Sequence, residues 1–309
     1  RAPGATSGQP PVASPDGRLL AAWRTVEGKP PAVGVWEAAT GKEVATVATG
    51  PFAHLALAAD SRSLVTTDTE FLRVWDLATG KEWGRWPLPV AVTDSWGQTF
   101  VYRLLLSPDG RRAFTALADG TCLVWDLSAA RDASPLVERP SEKEVAGWWA
   151  DLAGADAGRA YAAVWRLGET PDAVAFLRRH LRPASDADLK KARELITELD
   201  SDSFDAREKA FRQLEGLGSG AVPALRETLT AKPSPEARRR LEALLSRASN
   251  AARPPEERRR LRAILVLEQI ASKEARALVG ELAAGAPYAA QTAEAKAALG
   301  RLDRRAAGP

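Results

Sequence analysis

Apolar and polar positions alternate with a period of two along short stretches of the first 130 residues, and turn residues bound each stretch. Tyr102–Leu106, Arg112–Ala116 and Thr121–Asp126 read as strands. Ser107-Pro108-Asp109-Gly110 parts the first two: Pro suits the second position of a tight turn, and Gly accepts positive φ. Asp119-Gly120 is a hairpin signal before the third. Phe52–Leu57, Ser63–Thr67 and Phe71–Leu77 repeat the order. Ala78-Thr79-Gly80-Lys81 then turns into an outer strand that includes Glu82 and Trp83, and Ala39-Thr40-Gly41-Lys42 gives that turn earlier. Three strands end on one signature, Val35-Trp36-Glu37, Val74-Trp75-Asp76 and Val124-Trp125-Asp126. A turn stands ahead of each, with Asp16, Asp60 and Asp109 at its centre. The tryptophans are 39 and 50 residues apart. The longer interval places an insertion loop at Pro87 to Thr99, where Asp94 and Trp96 are the candidate partner contacts. A signature returning at this period means stacked supersecondary units, here expected to hold four short antiparallel strands each.

After Pro140 the pattern changes. Gly and β-branched residues thin out, and Ala, Leu, Arg and Glu dominate. Residues 131–143 read as a linker, because Ser134-Pro135 and Arg139-Pro140 interrupt regular structure. From Glu142 the apolar period becomes helical: Val145, Trp148, Trp149 and Leu152 share one face, and Tyr161, Val164, Trp165 and Leu167 mark the next helix. Thr170-Pro171 predicts a helix start, with Thr as cap and Pro at the first helical position, continued by Val174, Leu177 and Leu181. Leu189, Ala192, Ile196 and Leu199 follow at helical spacing. Ala210–Leu225 aligns with Ala263–Leu278 at an offset of 53, with Ala210/Ala263, Leu214/Leu267, Glu215/Glu268 and Leu225/Leu278 among the identities. Each copy reads as a helix pair followed by a further helix, at about 235–248 and 290–304.

Ser-Pro-Asp-Gly-Arg followed by Val-Trp-Asp-Leu-Ala-Thr-Gly-Lys-Glu resembles the bacterial WD40-repeat proteins over roughly residues 10–130. The resemblance implies β-propeller blades, with Trp36, Trp75, Asp76, Trp125, Asp126, Asp16 and Asp109 as structural blade residues. The Gly-His dipeptide of that family is absent, so its His-centred hydrogen-bond network is not expected; His54 reads as local packing. The offset repeat resembles HEAT or armadillo-like helical arrays over roughly 186–304. The fold expected is therefore β + α: WD40-type blades over 1–130, a linker over 131–143, and a helical domain over 144–309. Three blades leave a ring open, since propellers hold about four to eight. Further N-terminal blades, or blades from other chains, are expected to complete it.

Composition narrows the functional classes. Among 309 residues there are two His, one Cys and no Met. The absence of Met and the start at Arg1-Ala2-Pro3 suggest a fragment or processed product. Cys122 has no partner for an intrachain disulfide, which fits a reducing compartment such as the cytoplasm. No apolar run of roughly 18 residues exists, so no membrane insertion is expected. His54 and His180 lie in different halves, and no nucleophile elbow, Walker loop or zinc set is present, so no catalytic residue, cofactor or metal is expected. Asp200-Ser201-Asp202-Ser203-Phe204-Asp205 lacks the Gly and the closing Glu of a calcium loop and reads as a helix cap. The net charge of +3 is concentrated in the second half. Arg238, Arg239, Arg240, Arg258, Arg259 and Arg260 form its peaks and a candidate polyanion patch, although Glu236 and Arg240 have the spacing of a helical ion pair. Trp148, Trp149, Tyr161 and Trp165 read as packing aromatics. The expectation is a non-enzymatic protein–protein interaction scaffold with unidentified protein partners. The alternative is nucleic-acid or other polyanion binding through residues 226–262.

Overall fold

The computed structural model describes residues 10–24, 31–50, 54–89, 101–132, 139–217, 220–250 and 253–307. Eleven strands come first and the helices follow. The strands form three antiparallel sheets. Sheet one holds β1 (Val12–Ala13), β2 (Leu19–Arg24), β3 (Ala32–Glu37) and β4 (Glu43–Ala48), paired in chain order. Sheet two holds β5 (His54–Leu57), β6 (Ser63–Thr67), β7 (Phe71–Asp76) and β8 (Lys81–Pro87), again in order. Sheet three holds β9 (Val101–Leu106), β10 (Arg112–Leu117) and β11 (Cys122–Asp126). It therefore has three strands among the described residues, where the repeat predicts four. In place of a fourth, the chain enters α1 (Ser128–Asp132), which begins in the stretch expected to be blade and reaches the first two residues of the expected linker.

The chain groups into two compact units, residues 1–151 with 155–166, and residues 152–154 with 167–308. In the first unit the sheets stack through alternate faces. Ala21, Val33 and Val35 of sheet one pack with Leu55, Leu57, Leu64 and Trp75 of sheet two. The other face of sheet two, with Ala56, Val65 and Val74, packs with Leu104, Leu106, Ala113 and Trp125 of sheet three. The period-two pattern explains this: each strand sends successive side chains to opposite faces, so a sheet apolar on both sides needs a layer on each. Trp36 lies over Gly34 so closely that any Cβ there would overlap the ring. Residues of α2 (Glu142–Ala153) and α3 (Ala157–Gly168) belong to this unit as far as Asp151 and Arg166. Ala157 and Tyr161 pack into the core of sheets one and two, and the Tyr161 hydroxyl donates to the Ser61 carbonyl. Of the face predicted for α2, Leu152 is buried while Val145, Trp148 and Trp149 are only half-buried.

The second unit contains α4 (Ala173–His180), α5 (Ala187–Glu198), α6 (Phe204–Leu217), α7 (Val222–Thr230), α8 (Pro235–Asn250), α9 (Pro255–Ile270), α10 (Lys273–Ala283) and α11 (Ala290–Ala307). Thr170-Pro171 does not start α4. The Ala173 amide donates to the Thr170 carbonyl at 3.1 Å, so Pro171 sits second in a tight turn and Asp172 is the residue before the helix. Pro's fixed φ suits both positions, and the sequence signal is the same for each. The segment read as a cap at 200–205 does stand before α6, and Ser203 Oγ accepts from the Ala206 amide at 3.4 Å. Ala192, Leu195, Leu199, Leu214, Leu225, Leu241 and Leu244 from α5 to α8 form one buried cluster.

The two aligned copies both fold as three helices, α6 to α8 and α9 to α11. The shared pairs Ala210/Ala263, Leu214/Leu267 and Leu225/Leu278 are buried, whereas of Ala224/Ala277 only Ala224 is. Their shared glutamate is not alike. Glu215 is exposed and pairs with Arg247 at 2.8 Å. Glu268 is 0 % exposed and takes three hydrogen bonds of 2.9–3.1 Å from Arg301, with Arg305 at 3.6 Å. Removing one partner of a buried pair strands the other charge, whereas exposed pairs contribute little. Glu268→Ala is expected to destabilise this unit by about 3 kcal/mol or more, and Glu215→Ala by roughly 0.5 kcal/mol. Chemical denaturation followed by helical circular dichroism measures both.

Candidate interaction surface

The acidic residue behind each tryptophan decides how its sheet ends. Asp76 is 1 % exposed. It accepts from Arg62 Nε at 2.8 Å and Nη2 at 3.2 Å, from the Thr79 hydroxyl at 2.9 Å and from the Ala78 amide at 3.1 Å. The Thr79 and Ala78 contacts hold the turn into β8. The Arg62 guanidinium also stacks between Trp83 and Trp165, 4.9 and 5.0 Å from the ring centres. Glu37 accepts from Thr40 at 2.6 Å and holds the matching turn of sheet one. Asp126 instead accepts from the Ser128 amide at 2.9 Å, at the start of α1. Residues 129–131 are Ala-Ala-Arg where the other units have Thr-Gly-Lys, so neither the hydroxyl nor the positive-φ glycine needed for the turn is present.

The tryptophans share a second device. Trp75 Nε1 donates to Thr66 Oγ1 and Trp125 Nε1 to Thr115 Oγ1, each at 2.9 Å. Both threonines are buried, so each indole N–H is satisfied inside the sheet stack. Trp36 is buried as well.

Asp16 and Asp109 organise the turns ahead of the second strands. Ser14 Oγ donates to Asp16 at 2.6 Å and Ser107 Oγ to Asp109 at 2.5 Å, while the Arg18 and Arg111 amides donate at 3.1 and 3.0 Å. Burial alone would raise the Asp16 carboxyl; the Ser14 and Ser61 hydroxyls, the Arg18 amide and the Arg18 charge outweigh it and hold the pKa below the ordinary value. His54 is held below its ordinary value by burial, with the Arg103 charge adding to the effect.

Among the described residues, one face of sheet three has no covering layer. Phe114 pairs with Leu105 on one side and Val124 on the other, so the three form a row across the sheet. They are 38, 53 and 60 % exposed. The matching row of sheet two is Ala56–Val65–Val74, in which Val65 and Val74 are each 1 % exposed. In sheet one it is Val12–Ala21–Val35, with Ala21 and Val35 at 0 %. Cys122 on β11 is also exposed. Among the described residues no strand pairs with the outer edge of β11, the place taken by β4 in sheet one and β8 in sheet two. A contiguous exposed apolar patch beside an open strand edge is the surface feature that most often marks a contact with another protein.

The arginine triplets do not converge on one face. Arg240 pairs with Glu236 at 2.7 Å and Arg238 lies 3.8 Å from Glu242. Arg259 pairs with Glu256 at 2.6 Å. Arg258 donates to the Ala153 carbonyl at 2.7 and 3.1 Å, and the buried Arg262 donates to the Leu152 and Gly154 carbonyls at 2.9 Å. Those carbonyls end α2 and lack helical partners, so these arginines serve as a C-terminal cap. Arg239 and Arg260 are exposed. Asp94 and Trp96 lie outside the described residues.

Two outcomes follow for the first unit. Asp76→Ala leaves Arg62 uncompensated inside the stack and is expected to cost about 3 kcal/mol; Asp126→Ala, at an exposed site, is expected to leave stability close to that of the parent chain. Denaturation followed by tryptophan fluorescence separates them. The Asp16 contribution is fully present above the unfolded carboxyl value of about 3.9 and is lost as pH falls through its lower folded value. Acid unfolding of Asp16→Asn is therefore expected to have a shallower pH dependence below about pH 4 than that of the parent chain.

No protein-family model matches this chain, and no curated protein matches it.

Proposed function

We propose that this chain is a non-enzymatic protein-interaction scaffold, built from WD40-type blades and followed by HEAT-like helical repeats. The observation that carries the reading is the open row Leu105–Phe114–Val124, since the second- and third-strand residues of the same row, Ala21 and Val35 or Val65 and Val74, are buried in the preceding sheets. The recurring Val-Trp-acidic signature, the in-order four-stranded sheets and their face-to-face stacking support blades of one kind. The two three-helix copies support a repeat array that lays its helices side by side. The residue inventory supports binding rather than chemistry: two histidines stand far apart in the chain, and the most deeply buried acids, Asp76 and Glu268, are engaged by arginines. No helix among the described residues is long and apolar enough to cross a membrane.

Polyanion binding is the competing reading. It is weakened because Arg240, Arg258 and Arg259 are engaged within the helical unit. The test compares the chain with a Phe114→Lys/Val124→Lys double variant, using an apolar fluorophore and thermal unfolding. The parent is expected to bind the fluorophore and the variant to lose most of that signal at an unchanged melting temperature. Equal signals would overturn the reading. Tight binding of duplex DNA whose affinity falls steeply with salt, by a logarithmic slope of about −0.9 per phosphate contact, would favour the polyanion reading instead.

A further inference from the structure

The first helical copy has a core of its own, and α5 belongs to it. Leu195 and Leu199 of α5 share one buried cluster with Leu214 of α6, Leu225 of α7, and Leu241 and Leu244 of α8. Among the described residues, that cluster includes none of α4, α9, α10 or α11, whose own buried leucines include Leu177, Leu267, Leu278 and Leu302. Polar contacts join the same four helices. Arg193 of α5 reaches Glu227 of α7 at 2.9 Å, and Arg247 of α8 reaches Glu215 of α6 at 2.8 Å. The Ser234 hydroxyl, before α8, donates to Asp200, after α5, at 2.9 Å.

α4 is tied elsewhere, although α5 is the next helix in the chain. Arg178 of α4 donates to both carboxylate oxygens of Glu281 in α10, at 2.7 and 2.8 Å. The segment after α4 lies against the loop between α10 and α11. There the Ala286 amide donates to the Ala184 carbonyl, and Gln291 Nε2 to the Arg182 carbonyl, each at 2.8 Å. Gly285 is so close to this segment that a Cβ would stand 2.7 Å from the Ala184 amide nitrogen. Partners 103 and 109 positions apart in sequence are thus joined past the whole of α5–α8.

We propose that α5–α8 is a module inserted between α4 and α9, and that it opens as one cooperative unit while α4 and α9–α11 stay folded and joined. This goes beyond the scaffold reading and does not depend on it. In a serial array each repeat contacts only its neighbours, so breaking an inner repeat uncouples those on either side. Here the ties from α4 to α10 and to the loop behind it hold the flanks together without the module. The module's apolar faces are buried against one another, so its opening exposes its own core and leaves the other intact.

The test uses the full chain and a leucine position that both copies share, Leu225 in α7 and Leu278 in α10. Hydrogen exchange is followed amide by amide at rising urea concentrations below the unfolding transition. Leu225→Ala is expected to speed exchange throughout α5–α8 by about thirtyfold or more, and to leave α4 and α9–α11 at the rates of the parent chain. Leu278→Ala is expected to do the reverse. If Leu225→Ala keeps the module from folding, the amides of α5–α8 lose protection while those of α9–α11 keep theirs, which supports the proposal. Equal acceleration of α5–α8 and α9–α11 by either variant overturns it. So does a Leu225→Ala effect that is absent or confined to α7.

Discussion

A sheet with two apolar faces cannot stand alone in water, and the first unit depends on that constraint. Val35 and Val74 are buried because the following sheet lays Trp75 or Trp125, with leucines and alanines, on their face. Burying a Val or Leu side chain is worth about 1.5–3 kcal/mol, so each added layer is held by several such terms. The tryptophan suits this role because its large ring fills the space between sheets, while its N–H finds a buried threonine in its own sheet. The same logic makes the last layer reactive. Val124 stands in the position of Val74 and, among the described residues, has neither a following layer over it nor a fourth strand beside it.

Polar groups decide where the stack stops. The carboxylate behind the tryptophan works as a local switch between two continuations of the chain. With Thr-Gly-Lys behind it, as at Asp76, the carboxylate accepts from the Thr79 hydroxyl and the Ala78 amide, the glycine takes positive φ, and the chain reverses into a fourth strand. With Ser-Ala-Ala-Arg behind it, the carboxylate accepts from Ser128 and the chain enters a helix. Three residues thus determine whether β11 has a neighbour. Around Asp76 the switch is reinforced by Arg62, whose guanidinium meets a carboxylate at its edge and two indole faces above and below. Such a site uses the planar guanidinium in a way that a lysine ammonium cannot reproduce.

The strands of sheets two and three were legible, and of sheet one the Val35-Trp36-Glu37 strand end with its turns, because period-two alternation and Pro-Asp-Gly or Asp-Gly turns are local properties of the sequence. The helical copies at 210 and 263 were legible for the same reason, and the Glu236–Arg240 pair could be read from its spacing. What could not be read depends on distant residues. Pro171 serves a turn as readily as a helix start, and only the Thr170–Ala173 hydrogen bond separates the two. Glu215 and Glu268 are identical in the aligned copies. One is buried because Arg301 and Arg305, more than thirty residues on, close over it. Arg258 and Arg262 looked like members of a basic surface run. Their partners are carbonyls 105–110 residues away, which no periodicity can reveal. The exposure of Leu105, Phe114 and Val124 was hidden for the opposite reason: their pattern matches that of buried rows.

That last point sets this row apart from an ordinary exposed sheet face. A sequence that had adapted sheet three to permanent exposure would be expected to break the apolar row with charge, as β8 does with Lys81, Glu82 and Arg85 along its outer edge. The β9–β11 row keeps Leu, Phe and Val at the three facing positions, and its charged residues lie one step to either side, at Arg103 and at the Arg112–Asp126 pair. An apolar centre rimmed by charge is the arrangement of surfaces that exchange water for a partner. The chemistry of the row is that of an interior, and the loss of the fourth-strand turn leaves the backbone beside it equally unfinished. Both features have one cause: among the described residues, sheet three has neither the following layer nor the fourth strand that sheets one and two possess.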